Sequence, residues 1–151
     1  MDMLHKKITF IGAGNMATSI ISGLIKDGYP SDCICASEPN IENTQKLADK
    51  YAVKTSQDNT QAAKWADVIV LSVKPQIMPV VCAALAEQGV DFSEKLMISI
   101  AAGISVQRLH ALLSALWDAV AVGVDEGLSD FEMYPQVSEA LQPFKLDYPG
   151  L

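Results

Sequence analysis

The sequence predicts an α/β fold built on a doubly wound, mostly parallel sheet with helices on both faces, and three observations predict it. Short β-prone runs alternate with stretches of helical periodicity, joined by short connections, which is the pattern of helices crossing over a parallel sheet. The run Val68-Ile69-Val70-Leu71-Ser72-Val73 is almost continuously apolar and rich in β-branched residues, as a central strand covered on both faces requires. Near the start, Ile8-Thr9-Phe10-Ile11 runs straight into Gly12-Ala13-Gly14-Asn15-Met16-Ala17, a strand followed by a glycine turn and an amphipathic helix. That last order is Rossmann-like. Gly12 permits a tight turn, Gly14 lets backbone approach a diphosphate, and the small Ala17 lets the helix pack on the strand. The helix start offers unpaired N–H groups and a positive dipole end to an anion.

Each element has its own local signal. Ala17, Ile20, Ile21, Leu24 and Ile25 fall on one helical face, and Gly28 with Pro30 beyond it ends that helix. Residues 33–37 form the second strand. Asn40 is placed to cap the next helix, with Glu42 in its first turn and Thr44, Leu47, Ala48 and Tyr51 on its buried face. Residues 53–56 make a weak third strand, diluted by Lys54 and Thr55. Asp58 or Asn59 starts a short helix that runs through Trp65 and ends at Ala66-Asp67. After the central strand, Pro75 suits the first position of a helix reaching Glu87. Residues 96–100 form the fifth strand, Ala101-Ala102-Gly103 a small-residue turn, and Ser105 caps a helix carrying Leu109, Leu112, Leu113, Leu116 and Trp117 on one side.

Composition narrows the function. In 151 residues, half are hydrophobic and 19% charged, which describes an ordered domain with a core. A net charge of −7 argues against a nucleic-acid partner. No apolar run reaches membrane-spanning length, and the leader lacks the apolar core of a secretory signal. Cys33, Cys35 and Cys82 fit no zinc or redox spacing; Cys33 and Cys35 share one strand face as buried thiols, which suggests a reducing, cytoplasmic setting. His5 and His110 have no partners at metal-ligand spacing, so no metal site is expected. Asp125 and Glu126 read as solvated rather than as a catalytic pair, and no catalytic residue is assigned.

Ligands of such sheets bind at the carboxyl ends of the strands. That rule gathers Ile11, Gly12, Ala13, Gly14, Asn15 and Met16 with Ser37 and Glu38, with Ser72, Val73, Lys74 and Pro75, and with Ala101, Ala102 and Gly103. A carboxylate at Glu38 would accept hydrogen bonds from ribose hydroxyls and repel a 2′-phosphate, so it leans toward NAD(H); the other reading is a solvated residue ahead of a helix. Asn59 is most simply a helix N-cap, or else a contact on the adenosine side of the cofactor. Lys74 follows the central strand, where a cofactor should lie, but also fits an exposed loop. Residues 101–103 make either a plain turn or a flat seat for a nicotinamide.

The strings ITFIGAGNMATSIISGL, ADVIVLSVKPQIM and ISIAAGIS resemble the N-terminal domain of pyrroline-5-carboxylate reductase, over residues 7–116. The resemblance implies an NADP(H)- or NAD(H)-dependent reduction of a cyclic imine in proline synthesis. Residues 11–16 would hold the diphosphate, and Ser37 and Glu38 would lie at the adenosine ribose near Asn59. Residues 72–75 and 101–103 would line the nicotinamide side. Glu38 departs from the small polar residue usual in the family. Residues 1–117 are therefore expected to form the NAD(P)-binding domain. Residues 118–151, with one β-prone run at 119–124, many carboxylates and three prolines, match neither the family's next strand nor its helical C-terminal domain. They read as a divergent acidic tail, as a frameshift, an early stop or a gene fragment leaves. The expectation is a truncated cofactor-binding portion, inactive alone, which meets the imine only if a substrate domain is supplied. Its oligomeric state is open because the family's dimer domain is missing. The alternative is a non-catalytic NAD(P)-binding module, or a degenerate fragment, with a partner-binding tail.

Overall fold

The computed structural model describes residues 5–101. The expected helix after Ser105, the β-prone run at 119–124 and the acidic tail lie outside them. Five strands, β1 (Ile8–Ile11), β2 (Ile34–Ser37), β3 (Lys54–Ser56), β4 (Val68–Leu71) and β5 (Leu96–Ser99), form one sheet in the order β3-β2-β1-β4-β5. Every pairing is parallel. The chain leaves β1 toward β2 on one side and returns to β4 on the other, so the order reverses at β1. In open α/β sheets the crevice at such a reversal, beyond the carboxyl ends of the strands, is where ligands bind.

Between the strands run α1 (Asn15–Lys26), α2 (Ile41–Tyr51), α3 (Asn59–Trp65) and, after β4, α4 (Met78–Glu87). The sheet with α1–α3 belongs to one unit, and residues 74–90, which contain α4, belong to a second.

Alternation along β1 decides which helix lies where, because successive side chains point to opposite faces. Phe10, with its paired neighbours Ala36 and Val70, packs in one cluster with Ala17 and Ile21 of α1 and Leu47 of α2. Thr9 points the other way and is fully buried, where its hydroxyl donates to the Ala62 carbonyl of α3 at 2.8 Å. Burial of that hydroxyl would be costly without the bond. Helices thus cover both faces, as the sequence predicts. Apolar burial is the main force, at about 25 cal/mol per Å² removed from water.

Local signals place the helix ends. α1 ends where the Gly28 N–H donates to the Ile25 carbonyl and the Tyr29 N–H to the Leu24 carbonyl, the two bonds of a Schellman motif. Gly28 has φ +89°, the left-handed conformation this closure needs. The Asn40 side chain caps α2 by accepting the Glu42 N–H at 3.0 Å, as expected. On the α2 face, Thr44 and Leu47 are buried, while Ala48 and Tyr51 are half-buried. Lys95 donates its ammonium to the Lys64 and Ala66 carbonyls, which closes the C-terminal end of α3 with the sign of charge its dipole favours.

Four boundaries differ from expectation. Cys33 lies in a 3₁₀ turn (Ser31–Cys33) ahead of β2 rather than on a strand face with Cys35. Its N–H donates to the Pro30 carbonyl, a bond of the 3₁₀ turn rather than of the ladder. Pairing therefore starts at Ile8 and Ile34. Val53 is buried in the core but precedes β3. β5 stops at Ser99, one residue short of the expected strand, although the Ile100 N–H still donates to the Leu71 carbonyl. Pro75 does not open α4: residues 75–77 form a turn in which the Ile77 N–H bonds Lys74 and the Met78 N–H bonds Pro75. Pro79 has no N–H to return to the Pro75 carbonyl, so the α-helical ladder begins only with Val81 donating to Ile77.

Candidate functional site

The site is built at the end of β1. Gly12 is buried with φ +102°. A Cβ there would lie 2.6 Å from the Ser72 carbonyl oxygen and 2.8 Å from its carbon, and both atoms are backbone just past β4. Glycine is required twice over, by conformation and by space. The turn is then tied on both sides. The Gly12 N–H donates to the Ser37 carbonyl at 2.8 Å, and the Ser72 hydroxyl reaches the Ile11 and Gly12 carbonyls at 3.0 and 2.8 Å.

Gly14 is a different case. It is the N-cap of α1 in ordinary extended conformation, φ −78°, and a Cβ there would meet nothing within 4 Å. Neither the backbone nor the packing of the described residues demands glycine at this position. What the missing side chain does is leave the start of α1 bare. The helix has no side-chain cap, Thr18 is the residue whose N–H returns to the Gly14 carbonyl, and Gly14, Asn15 and Met16 are all exposed. First-turn N–H groups with no intrahelical acceptor thus face outward at the positive end of the helix dipole. A phosphate or diphosphate fits that arrangement. Met16 is 62% exposed, an apolar surface beside the turn.

Ser37, Glu38 and Asn59 meet at the end of β2. Ser37 is fully buried and donates its hydroxyl to Asn59 Oδ1 at 2.7 Å. Asn59 is not the cap of α3. Asp58 is, accepting the Thr60 and Gln61 N–H groups at 2.9 and 3.1 Å, because its extended backbone leaves the carboxylate facing the first turn. Asn59 is thereby the first helical residue, and its side chain is free to hold Ser37. Glu38 is half-buried rather than a solvated residue ahead of a helix. One carboxylate oxygen accepts the Ala13 N–H at 2.8 Å, the other accepts Asn43 Nδ2 at 2.7 Å, and its own N–H donates to the Ser56 carbonyl at 3.1 Å.

Ile11 and Ala13 are buried and form the floor of the turn, and Ser72 and Val73 are half-buried beside it. Lys74 and Pro75 belong to the second unit, where Lys74 is exposed and both carbonyls accept the turn bonds described above. Ala101 is half-buried and also belongs to the second unit; Ala102 and Gly103 lie outside the described residues.

Sequence reasoning missed Asn43 and Ser56, and it left the start of α3 open between Asp58 and Asn59, which the structure settles as an Asp58 cap. A polar side chain in the first turn of α2, close behind Glu38, was the one local signal for Asn43. Among the described residues no group of three or more His, Cys, Asp or Glu side chains could hold a metal ion. Cys35 is buried, and desolvation raises its thiol pKa despite the opposing Thr9 hydrogen bond and Lys54 charge; in the second unit, burial pushes Cys82 up to about 12. Neither is a nucleophile at neutral pH. Among the described residues no helix is long and apolar enough to cross a membrane.

Comparison with known proteins fits this geometry. Residues 7–103 match the family model described as NADP oxidoreductase, coenzyme F420-dependent. A pyrroline-5-carboxylate reductase of Vibrio alginolyticus is 50% identical over 120 residues, which cover 80% of this chain and 43% of that protein. One of Haemophilus influenzae is 44% identical over 154 residues, 98% of this chain and 56% of that protein. That second alignment runs on through the stretch after Trp117, so the expectation that nothing there matches the family does not hold for this relative. The structure of a pyrroline-5-carboxylate reductase from Coxiella burnetii superposes with a TM-score of 0.66 at 40% identity, covering 72% of this chain and 40% of that one. The chain spans about half the length of the curated relatives it matches, 43% and 56%. It belongs to the NADP oxidoreductase coenzyme F420-dependent family and is similar to the pyrroline-5-carboxylate reductases over their N-terminal domain.

Proposed function

We propose that this chain is the NAD(P)H-binding portion of a pyrroline-5-carboxylate reductase. The observation that carries the reading is Gly14: a residue the fold would accept with a side chain, set as glycine where α1 offers its bare N-terminus. A diphosphate needs that space, and an ordinary turn does not. Asn15, Met16 and their N–H groups would hold the diphosphate, with Gly12 and Ser72 fixing the turn that presents them. Ser37 is buried, so its part would be to hold Asn59 in place, while Glu38 would lie at the adenosine ribose. Val73, Lys74, Pro75 and residues 101–103 would serve the nicotinamide side. The half-buried backbone after β4 supports this at Val73.

A bound reduced nicotinamide would supply a hydride from C4 to the imine carbon of 1-pyrroline-5-carboxylate. The work of this chain is to orient that cofactor and shield it from water. The imine and the residues that protonate it would belong to a substrate domain. The free thiols Cys33, Cys35 and Cys82 support a reducing compartment such as the cytoplasm. Titration of the purified chain with NADH and NADPH, followed by nicotinamide fluorescence, tests the binding. Saturable binding of at least one is expected, with no proline formed when 1-pyrroline-5-carboxylate is added. Failure to bind either cofactor overturns the reading, and measurable proline formation overturns the division of labour.

A further inference from the structure

We infer that Asn43 is a positioning residue: it pins the Glu38 carboxylate at the end of β2 and so makes this chain discriminate against a nicotinamide dinucleotide that carries a 2′-phosphate. The inference rests on the dinucleotide reading above and deepens it.

Glu38 is held at three points. Its N–H is fixed to Ser56 of β3 at 3.1 Å, one carboxylate oxygen to the Ala13 N–H at 2.8 Å, and the other to Asn43 Nδ2 at 2.7 Å. A glutamate has three rotatable side-chain bonds, and an unheld one would swing aside from an approaching anion at little cost. This one cannot move without breaking two hydrogen bonds to a charged acceptor, which are stronger than neutral ones. Asn43 is itself fixed, because it sits in the first turn of α2, and that turn is locked by the Asn40 cap on the Glu42 N–H.

Both partners of the carboxylate are neutral, so the negative charge is presented at the turn rather than cancelled there. The nearest cation along the sequence is Lys46, beyond Asn43 in α2. Residues 37–45 read Ser-Glu-Pro-Asn-Ile-Glu-Asn-Thr-Gln, with a second carboxylate and no lysine or arginine, and the only arginine in the chain is Arg108. A carboxylate has about four acceptor positions, and two of Glu38's are in use. The others can accept ribose hydroxyls, whereas a 2′-phosphate would meet a like charge held in place. The family name points to NADP, and these residues point to NADH for this member.

The experiment measures dissociation constants for NADH and NADPH on the whole chain, with Glu38→Gln, Asn43→Ala and the double variant. Alanine is the better helix former, so Asn43→Ala should keep α2 intact; circular dichroism checks this, and Asn43→Ser is the second variant should it not. The unaltered chain should bind NADH at least about tenfold more tightly than NADPH. Glu38→Gln should bring the two within about threefold, and Asn43→Ala should narrow the gap by about threefold or more. Because Asn43 acts through Glu38, adding Asn43→Ala to Glu38→Gln should change the ratio no further. A ratio near one in the unaltered chain overturns the proposal. So does an Asn43→Ala variant with an unchanged ratio, or a further change in the double variant. If the unaltered chain binds neither cofactor, the dinucleotide reading fails first and the proposal falls with it.

Discussion

Substituting the two turn glycines should move stability in opposite directions. Gly12→Ala forces alanine into φ +102° and puts its Cβ 2.6 Å from a backbone oxygen that is anchored just past β4. The left-handed conformation costs about 1–2 kcal/mol for a residue with a side chain, and overpacking against atoms that cannot swing away adds about 1–3 kcal/mol. Lower entropy of the unfolded chain returns roughly 0.4–1 kcal/mol. The net loss is about 2–4 kcal/mol, a large part of the roughly 5–15 kcal/mol by which domains are stable. At about 2–4 °C per kcal/mol for a chain of this size, Tm should fall by roughly 5–15 °C. Gly14→Ser meets none of these costs. Its φ is −78°, its Cβ would touch nothing within 4 Å, and a serine hydroxyl at that N-cap can accept a first-turn N–H. It should stabilise the fold by about 0.5–1 kcal/mol while placing a side chain where the diphosphate would lie. Urea unfolding followed by circular dichroism, beside an NADH titration, reads both effects. Equal destabilisation by the two substitutions, or a Gly14→Ser variant that binds NADH as before, would refute the reasoning.

Other substitutions test particular bonds. Asp58→Ala should cost about 1 kcal/mol through loss of the α3 cap. Asn59→Leu should cost about 1–3 kcal/mol by orphaning the buried Ser37 hydroxyl; urea unfolding reads both, and an Asn59→Leu variant as stable as the unaltered chain would show that Ser37 does not depend on it. Cys82 gives a pH prediction. Its thiol is raised by burial from 9.0 to about 12, so the unfolded chain ionises first. The contribution is fully present below pH 9 and is lost as pH climbs from 9 toward 12. Stability measured by chemical denaturation should therefore fall across that window by about 1.4 kcal/mol per pH unit from this group, and Cys82→Ala should flatten the slope by that amount. In the native protein at neutral pH a thiol reagent should label Cys33, which is half-buried, ahead of Cys35 and Cys82; mass spectrometry of the labelled chain checks the order.

Much of the sheet was legible because its signals are local. The strand–Gly12–α1 order, the Asn40 cap and the Gly28 stop each depend on neighbours within a few residues. The misplaced boundaries turn on particular backbone bonds that such patterns do not show. Cys33 is held in the 3₁₀ turn ahead of β2 by the bond of its N–H to the Pro30 carbonyl. Pro75 looked like a helix start, but the missing N–H that delays α4 belongs to Pro79. The site was legible in position more than in wiring. The strand-end rule gathers Gly12, Ser37, Glu38 and Ser72, but no spacing announces that Glu38 reaches Ala13 across 25 residues. Nor does any spacing say that Ser37 would take Asn59 as its partner and leave the cap to Asp58. These bonds follow from where the strands stop relative to one another, and that is fixed by the register of the whole sheet.

The central claim is that the bare start of α1 holds a diphosphate, and amide chemical shifts report on it residue by residue. On addition of NADH to the ¹⁵N-labelled chain, the account predicts saturable shifts at the amides of Gly14, Asn15 and Met16. Those of Lys7 and Asp67, at the opposite end of the strands, should stay unmoved. Saturable shifts that spare residues 14–16, or no shifts at any NADH concentration, would contradict it.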